Sequence, residues 1–243
     1  MMFCMRLRKI LGIALVLAVL TAVAGGLSVL NAQDAVGGIH VGTVSPIQTM
    51  ISRFVVVLVF GTFGLFFARQ SQLNGSLFIN SEGLSFTLRD LTIYGILPGL
   101  VLGLINYFFF FTYRYSPMVT PRIREISTFY DSFVVSLASG SVEEVVYRLF
   151  YLSCFLFFFQ HVYARLAPVW PGVVSILPKA LSLVISSLLF AMVHNIYGFT
   201  AAFFGGVLLG IIYLQSGIES AIAAHFCANF LFFSASYLSR GVF

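Results

Sequence analysis

The sequence has too few charged residues for a soluble protein. Only 9% of its 243 residues are Asp, Glu, Lys or Arg, whereas 60% are hydrophobic, and the mean hydropathy is +1.02. A soluble domain carries about 25% charged residues, which cover its water-facing surface. The composition therefore excludes a soluble globular domain and predicts an integral membrane protein.

Cysteine is also scarce. The three cysteines, Cys4, Cys154 and Cys227, show neither a pairing pattern nor the spacing of metal ligands. Two of them lie within apolar runs, where a thiol usually packs as a small hydrophobic group. We therefore expect neither a disulfide framework nor a cysteine-bound metal.

Acidic residues are fewer than basic ones, and the net charge is +5. In a soluble protein this excess would suggest nucleic acid as a partner. Here the Lys and Arg residues fall mainly between hydrophobic runs or at their ends, where they act as topology signals. We therefore expect the lipid bilayer as the surroundings of the protein, and no nucleic acid as a partner.

Long apolar runs recur along the whole chain. A spanning helix needs about 20 mostly apolar residues. The candidate spans are residues 10–30, 52–68, 91–112, 128–138 continuing into 142–159, 174–194, 200–214 and 218–238. The sequence thus predicts an all-α, polytopic bundle of seven or eight transmembrane helices, as one structural domain without a convincing internal repeat.

The N-terminal run allows two interpretations. Arg6, Arg8 and Lys9 precede it and small residues follow near Ala32, as in a secretory signal peptide. The run is nevertheless long enough to span a bilayer, and another membrane segment follows it. We favour a retained first helix.

Ionisable groups inside the spans are informative because each costs about 2.5–3.5 kcal/mol at the centre of the bilayer. They form three clusters in the second half of the chain, and the first contains Glu143, Glu144 and Arg148. Glu144 and Arg148 are four residues apart and can pair on one helical face, which could be a purely structural ion pair. Glu143 points about 100° away around the helix. Because Glu143 is a second carboxylate that does not share the Arg148 partner, we expect it to take part in acid–base chemistry.

The other two clusters contain histidine. His194 follows Phe190 by four residues, and by itself it could be a structural residue at a helix end. His225 and Asn229 are again four apart on an otherwise apolar helix. One possible role is structural, in which they hold the bundle together through interhelical hydrogen bonds. The other is catalytic, in which they supply paired donors to an oxyanion. We interpret Glu219, near the start of the same helix, as a partner of the helix dipole.

Glycines separate the last two clusters. Gly205, Gly206 and Gly210 have the spacing that lets a neighbouring helix approach closely. We expect close helix packing around the polar groups.

The three clusters together resemble the motifs of the CAAX protease and bacteriocin-processing family, also called CPBP or Abi. This family of intramembrane proteases includes the Ras-converting CAAX endopeptidase. The sequence contains E-E-x-x-x-R at 143–148, F-x-x-x-H at 190–194 and H-x-x-x-N at 225–229, in that order on successive hydrophobic helices. The resemblance covers roughly residues 128–238, which would form the protease core, and residues 1–127 would be the variable N-terminal helices.

The resemblance implies an intramembrane endopeptidase of the glutamate and histidine type. Glu143 would be the general base that activates a water, assisted by His194. Glu144 and Arg148 would be a supporting pair that positions their helix. The helical spacing predicts the same division, since one carboxylate is expected to be paired and the other to be free.

His225 and Asn229 would, by the same resemblance, stabilise the oxyanion formed as water attacks the scissile carbonyl. This mechanism needs no cofactor. The alternative is zinc bound by Glu143, His194 and His225, since members of the family are often labelled metalloproteases. The sequence contains no H-E-x-x-H spacing, and we favour the metal-free mechanism.

The expected substrate is a peptide or protein in or at the membrane, either of CAAX type or another processed peptide. We expect a multi-pass protein of a plasma or inner membrane. One alternative is a non-catalytic bacteriocin-immunity or secretion partner from the same family, which need not keep the full set of polar groups. Another is a transporter or proton-coupled carrier, but the two halves of the chain show no repeated helix pattern.

Overall fold

The computed structural model describes residues 2–35, 45–73, 88–112, 126, 128–164, 171–194 and 196–238. These residues form seven helices, each with a stretch long and apolar enough to cross a membrane. The helices are α1 (Met2–Ala35), α2 (Pro46–Gln70), α3 (π-helical Leu91–Ile96, then Leu97–Thr112), α4 (Phe129–Glu144, π-helical Val145–Leu152, then Ser153–Tyr163), α5 (Pro171–Met192), α6 (Ile196–Ser216) and α7 (Ile218–Leu238). The prediction of an all-α, polytopic bundle is confirmed.

Helix α4 is continuous from the first of the two candidate stretches, residues 128–138, into the second, residues 142–159. It begins with a capping box, in which the Thr128 hydroxyl accepts from the Asp131 N–H and the Asp131 carboxylate accepts from the Thr128 N–H. Its π-helical segment follows directly after Glu144, and π-helical turns are frequent at functional sites. The single span Phe129–Tyr163 brings the count to seven in the described part of the chain.

Helix α1 packs along α2 and α4. Ala14 and Ala18 on α1 are fully buried, whereas Leu15 and Leu20 are exposed on the opposite side. Exposed aliphatic side chains are what a lipid-facing surface requires. The retained first helix stays a prediction, since packing does not report on processing.

Helix α3 lies directly against α7. Its contact face carries three glycines at four-residue intervals, Gly95, Gly99 and Gly103. A Cβ atom at Gly103 would lie 2.8 Å from the carbonyl oxygen of Ala228, and one at Gly99 would collide with the backbone of Ala224. The G-x-x-x-G-x-x-x-G sequence therefore permits direct contact between the two backbones. This contact fixes the helix that carries His225 and Asn229.

The predicted glycine packing occurs on α6, and the three glycines differ in their surroundings. A Cβ atom at Gly206 would lie 3.2 Å from Phe190 and 3.4 Å from an Arg148 nitrogen, so the absence of a side chain makes room for the first cluster. Gly210 lies against Leu183. Gly205 instead borders a cavity. The proposed division at residue 127 stays a prediction, although α3 and α7 pack together across it.

Candidate active site

One cavity of about 260 Å³ lies among α3, α4, α6 and α7 and the C-terminal end of α5. Most of its lining is apolar. The polar side chains on its wall are Asn106, Ser139, Glu143, His194, His225 and Asn229. The structure thus brings together the four residues that the sequence predicts to be catalytic.

The supporting pair lies behind this cavity and is fully buried. Arg148 Nε is 3.3 Å from Glu144 Oε2. The contact is an ion pair rather than an aligned hydrogen bond, because Glu144 Oε2 and Arg148 Nη1 have no hydrogen-bond partner among the described residues. Arg148 is further held by the Gly206 carbonyl, which accepts from Nη2 at 3.3 Å, and by the Phe190 ring, 4.3 Å from the guanidinium carbon. A buried cation needs such multiple contacts because its desolvation is costly.

Glu144 also holds His225. The imidazole Nδ1 is 2.8 Å from Glu144 Oε1. An ionised carboxylate only accepts hydrogen bonds, so Nδ1 carries the hydrogen and donates it. His225 therefore presents Nε2 on its other side, as an acceptor when the ring is neutral and as a donor when it is protonated.

Glu143 faces the cavity, whereas Glu144 faces the interior of the bundle. The Glu143 carboxylate makes no hydrogen bond within the described residues, and its Oε2 lies 3.6 Å from His225 Nε2. This separation is longer than a hydrogen bond but leaves the carboxylate beside the imidazole. Glu143 can therefore accept a proton from a molecule that enters the cavity.

His194 lies two residues beyond the last residue of α5. Its Nδ1 is 2.8 Å from the Phe190 carbonyl, which can only accept, so Nε2 of the neutral ring is left with its lone pair. The Phe190 ring contacts both histidine rings, with centroids 4.7 Å from His194 and 5.9 Å from His225. Phe190 thus links the two histidines and Arg148, a role that its place in F-x-x-x-H did not reveal.

Asn229 is oriented by a serine that the sequence analysis missed. Its Nδ2 donates to Ser139 Oγ at 3.2 Å, and Ser139 Oγ donates to the Val135 carbonyl at 2.9 Å. Because the hydroxyl hydrogen is used on α4, Ser139 must accept from the amide, which assigns the orientation of the Asn229 side chain. The second N–H of Asn229 is left for another acceptor. No sequence signal links Ser139 to a residue 90 positions away.

The donors of this site do not form a ready metal centre. Within the described ranges, no three His, Cys, Asp or Glu side chains are grouped so as to hold a metal ion. Glu219, which we interpreted as a dipole partner, lies in the first turn of α7 and outside the described lining of the cavity.

The fold and the site together define a multi-pass integral membrane protein with a cavity inside its helix bundle that carries a cluster of polar side chains. Residues 125–231 match the family model described as Rce1-like, type II CAAX prenyl endopeptidase Rce1-like. This stretch is therefore similar to the Rce1-like CAAX prenyl endopeptidases, which confirms the resemblance stated above at the level of the family. All six predicted site residues lie in the matched stretch. Searches among curated proteins and among solved structures found no match.

Proposed function

We propose that the protein is an intramembrane endopeptidase that hydrolyses a peptide bond with a water activated by Glu143. The observation that carries the proposal is that Glu143, His194, His225 and Asn229 border one cavity. They do so within the domain that matches an endopeptidase family. A packing role alone would not require four polar side chains to face the same space.

The first step is the attack of water on the scissile carbonyl. Glu143 takes a proton from the water, since its carboxylate is directed to the cavity and makes no hydrogen bond within the described part of the chain. His194 assists by accepting the second water hydrogen at Nε2, because Nδ1 is held by the Phe190 carbonyl. The water oxygen forms a bond to the carbonyl carbon, and the carbonyl oxygen becomes an oxyanion.

The oxyanion is stabilised by His225 and Asn229. His225 acts in its protonated form, because only the imidazolium carries a hydrogen on both Nδ1 and Nε2. At this stage the imidazolium faces the oxyanion, since Glu143 is neutral after it takes the water proton. Asn229 donates the N–H that Ser139 does not use. The tetrahedral intermediate then collapses, the C–N bond breaks, and Glu143 returns the proton to the leaving amine.

Glu144 acts through His225. By accepting from Nδ1, it orients the imidazole and directs Nε2 away from itself. The same arrangement of a carboxylate behind a histidine also occurs in metal sites, where it orients a ligand. This observation keeps zinc as the second candidate, but the described residues do not offer a three-ligand group and no step here requires it.

The zinc candidate has its own test. The protein is purified without added metal, and its zinc content and its activity with and without a chelator are measured. Stoichiometric zinc, with activity that the chelator removes and zinc restores, would contradict the metal-free mechanism and support the zinc mechanism. Full activity of metal-free protein is the result we expect.

The substrate class follows the matched family. We propose a peptide presented at the membrane surface or within it, of the CAAX type that the family description names. The protein would act in a plasma or inner membrane. The competing function is that of a non-catalytic immunity or secretion partner, which needs no peptide hydrolysis. A measurement of peptide cleavage therefore distinguishes the two functions.

The test uses the full chain in liposomes and a quenched fluorescent peptide that ends in a farnesylated CAAX motif. We expect cleavage by the wild type and a loss of about 10²–10⁴-fold in Glu143→Gln, the usual contribution of a general base. Glu219→Gln is the matched control, because it makes the same change outside the cavity, and it should cleave normally.

The same Glu143→Gln protein is a trap for natural substrates. Mass spectrometry of host membranes should show uncleaved peptides accumulating with the variant and not with the wild type. Cleavage by Glu143→Gln at the wild-type rate would contradict the proposal. So would a wild type that cleaves no probe, combined with no accumulation in the trap.

A further inference from the structure

A polar residue of the N-terminal half also borders the cavity. Asn106 lies on α3, within the span Leu88–Phe109, and it lines the cavity together with the residues of the three motifs. An amide inside a membrane span is unfavourable unless it is hydrogen-bonded. Its position therefore needs an explanation that the three motifs do not supply.

The packing of α3 fixes this side chain in place. Gly103 contacts the Ala228 backbone, and Asn106 follows it by three residues, so both are on the face of α3 that is turned to α7. Asn229, on α7, is the residue next to Ala228. The close backbone contact therefore places Asn106 on the side of α3 that faces α7 and the cavity.

The Asn106 amide differs from the other amide and the two histidines of the cavity in its hydrogen bonding. Asn229 donates to Ser139, His225 to Glu144 and His194 to the Phe190 carbonyl. Within the described residues, the Asn106 amide makes no hydrogen bond. Its two N–H donors and its carbonyl oxygen are therefore available to a molecule that enters the cavity.

An extended peptide offers the complementary groups. Its main chain carries an N–H and a C=O at each residue, and in a site shielded from water these groups need partners. The histidines, Asn229 and Glu143 are all engaged at the scissile bond in the proposed mechanism. We infer that Asn106 binds the main chain of the substrate peptide beside the scissile bond. This inference rests on the proposed function and extends the site to the N-terminal helices.

Such a role affects binding more than bond cleavage. A main-chain contact made equally in the ground state and the transition state raises KM when it is lost and leaves kcat nearly unchanged. Replacing the amide by an apolar group of similar size should weaken peptide binding about tenfold, as expected when a buried polar group of the substrate loses its partner.

The experiment measures kcat, KM and direct binding with the farnesylated CAAX peptide on full-length protein in liposomes. We expect Asn106→Leu to raise KM about tenfold with kcat within about twofold of the wild type. Fluorescence anisotropy should show the same loss of affinity between Glu143→Gln and the Glu143→Gln/Asn106→Leu double variant. Thr92→Val is the matched control, since Thr92 is on the same helix and its hydroxyl bonds to the Leu88 carbonyl.

Two results separate the inference from the proposed function. An Asn106→Leu protein with wild-type KM and affinity would overturn the inference while Glu143→Gln still abolishes cleavage. A Glu143→Gln protein that cleaves normally would overturn the proposed function instead. A fall in kcat and thermal stability without a change in affinity would assign Asn106 to packing and also overturn the inference.

Discussion

Two adjacent glutamates on α4 occupy opposite environments. The side chain of Glu144 is 0% exposed, with Arg148 and His225 on either side, whereas that of Glu143 is 27% exposed and borders the cavity. The 100° step of the helix is sufficient to place one in the interior and the other at the site. The comparison shows that two identical side chains can have different roles, with Glu144 in the interior of the bundle and Glu143 at the cavity. The predictions below test the interior and the cavity separately.

The largest expected effect is on the interior side. Arg148→Met should lower the free energy of unfolding by about 3–5 kcal/mol, because it leaves the Glu144 carboxylate buried without its cation. Thermal unfolding in detergent measures this change. Glu144→Gln/Arg148→Met should recover part of the loss, and a single variant as stable as the wild type would show that the pair does not hold the bundle.

On the cavity side, Asn229→Leu should reduce kcat about 10²–10³-fold, which is the effect of removing one oxyanion donor. Its unfolding temperature should change little in comparison with that of Arg148→Met. Steady-state kinetics on the farnesylated peptide is the measurement. An Asn229→Leu protein that keeps the wild-type kcat and loses stability would show that Asn229 stabilises the bundle and does not take part in catalysis.

The contact between α3 and α7 fixes the position of α7, which carries His225 and Asn229 at the cavity. Gly99→Ala should cost about 1–3 kcal/mol, because the added methyl group meets the Ala224 backbone, which cannot move aside easily. Gly12→Ala is a matched control, since nothing lies within 4 Å of the added atom. Equal melting temperatures for the two variants would contradict the packing described here.

The smallest expected effect concerns the orientation of Asn229. Ser139→Ala should lower kcat about tenfold and leave KM unchanged, because the amide loses the acceptor that orients it. Ser139→Cys, with a weak acceptor, should give an intermediate kcat. An unchanged kcat in Ser139→Ala would mean that the hydrogen bond to Ser139 does not position the donor.

The sequence was informative where contacts are local. The spacing of Glu144 and Arg148 predicts their pairing, and the angle between Glu143 and Glu144 predicts their separation. Local spacing does not predict contacts between distant parts of the chain, such as the one between Glu144 and His225, which are 81 residues apart. The G-x-x-x-G-x-x-x-G sequence of α3 is a local pattern, but it lies outside the residues that the resemblance covers and does not by itself identify α7 as its partner.

Residues 139–141, which lie between the two candidate stretches of α4, continue the helix for a physical reason. Gly140 and the neighbouring serines lower the local hydropathy, but their polar groups are satisfied without breaking the helix. The Ser136 and Ser139 hydroxyls bond to carbonyls of their own helix, and Gly140 packs against the backbone of Phe226 on α7. Hydropathy does not record these contacts.

The central claim is most directly tested by comparing Glu143→Gln with Glu144→Gln for both cleavage rate and thermal unfolding. The account predicts that Glu143→Gln abolishes cleavage of the farnesylated peptide and unfolds as the wild type does, whereas Glu144→Gln loses stability as well as activity. A Glu143→Gln protein that cleaves normally, or two variants destabilised to the same extent, would contradict the account.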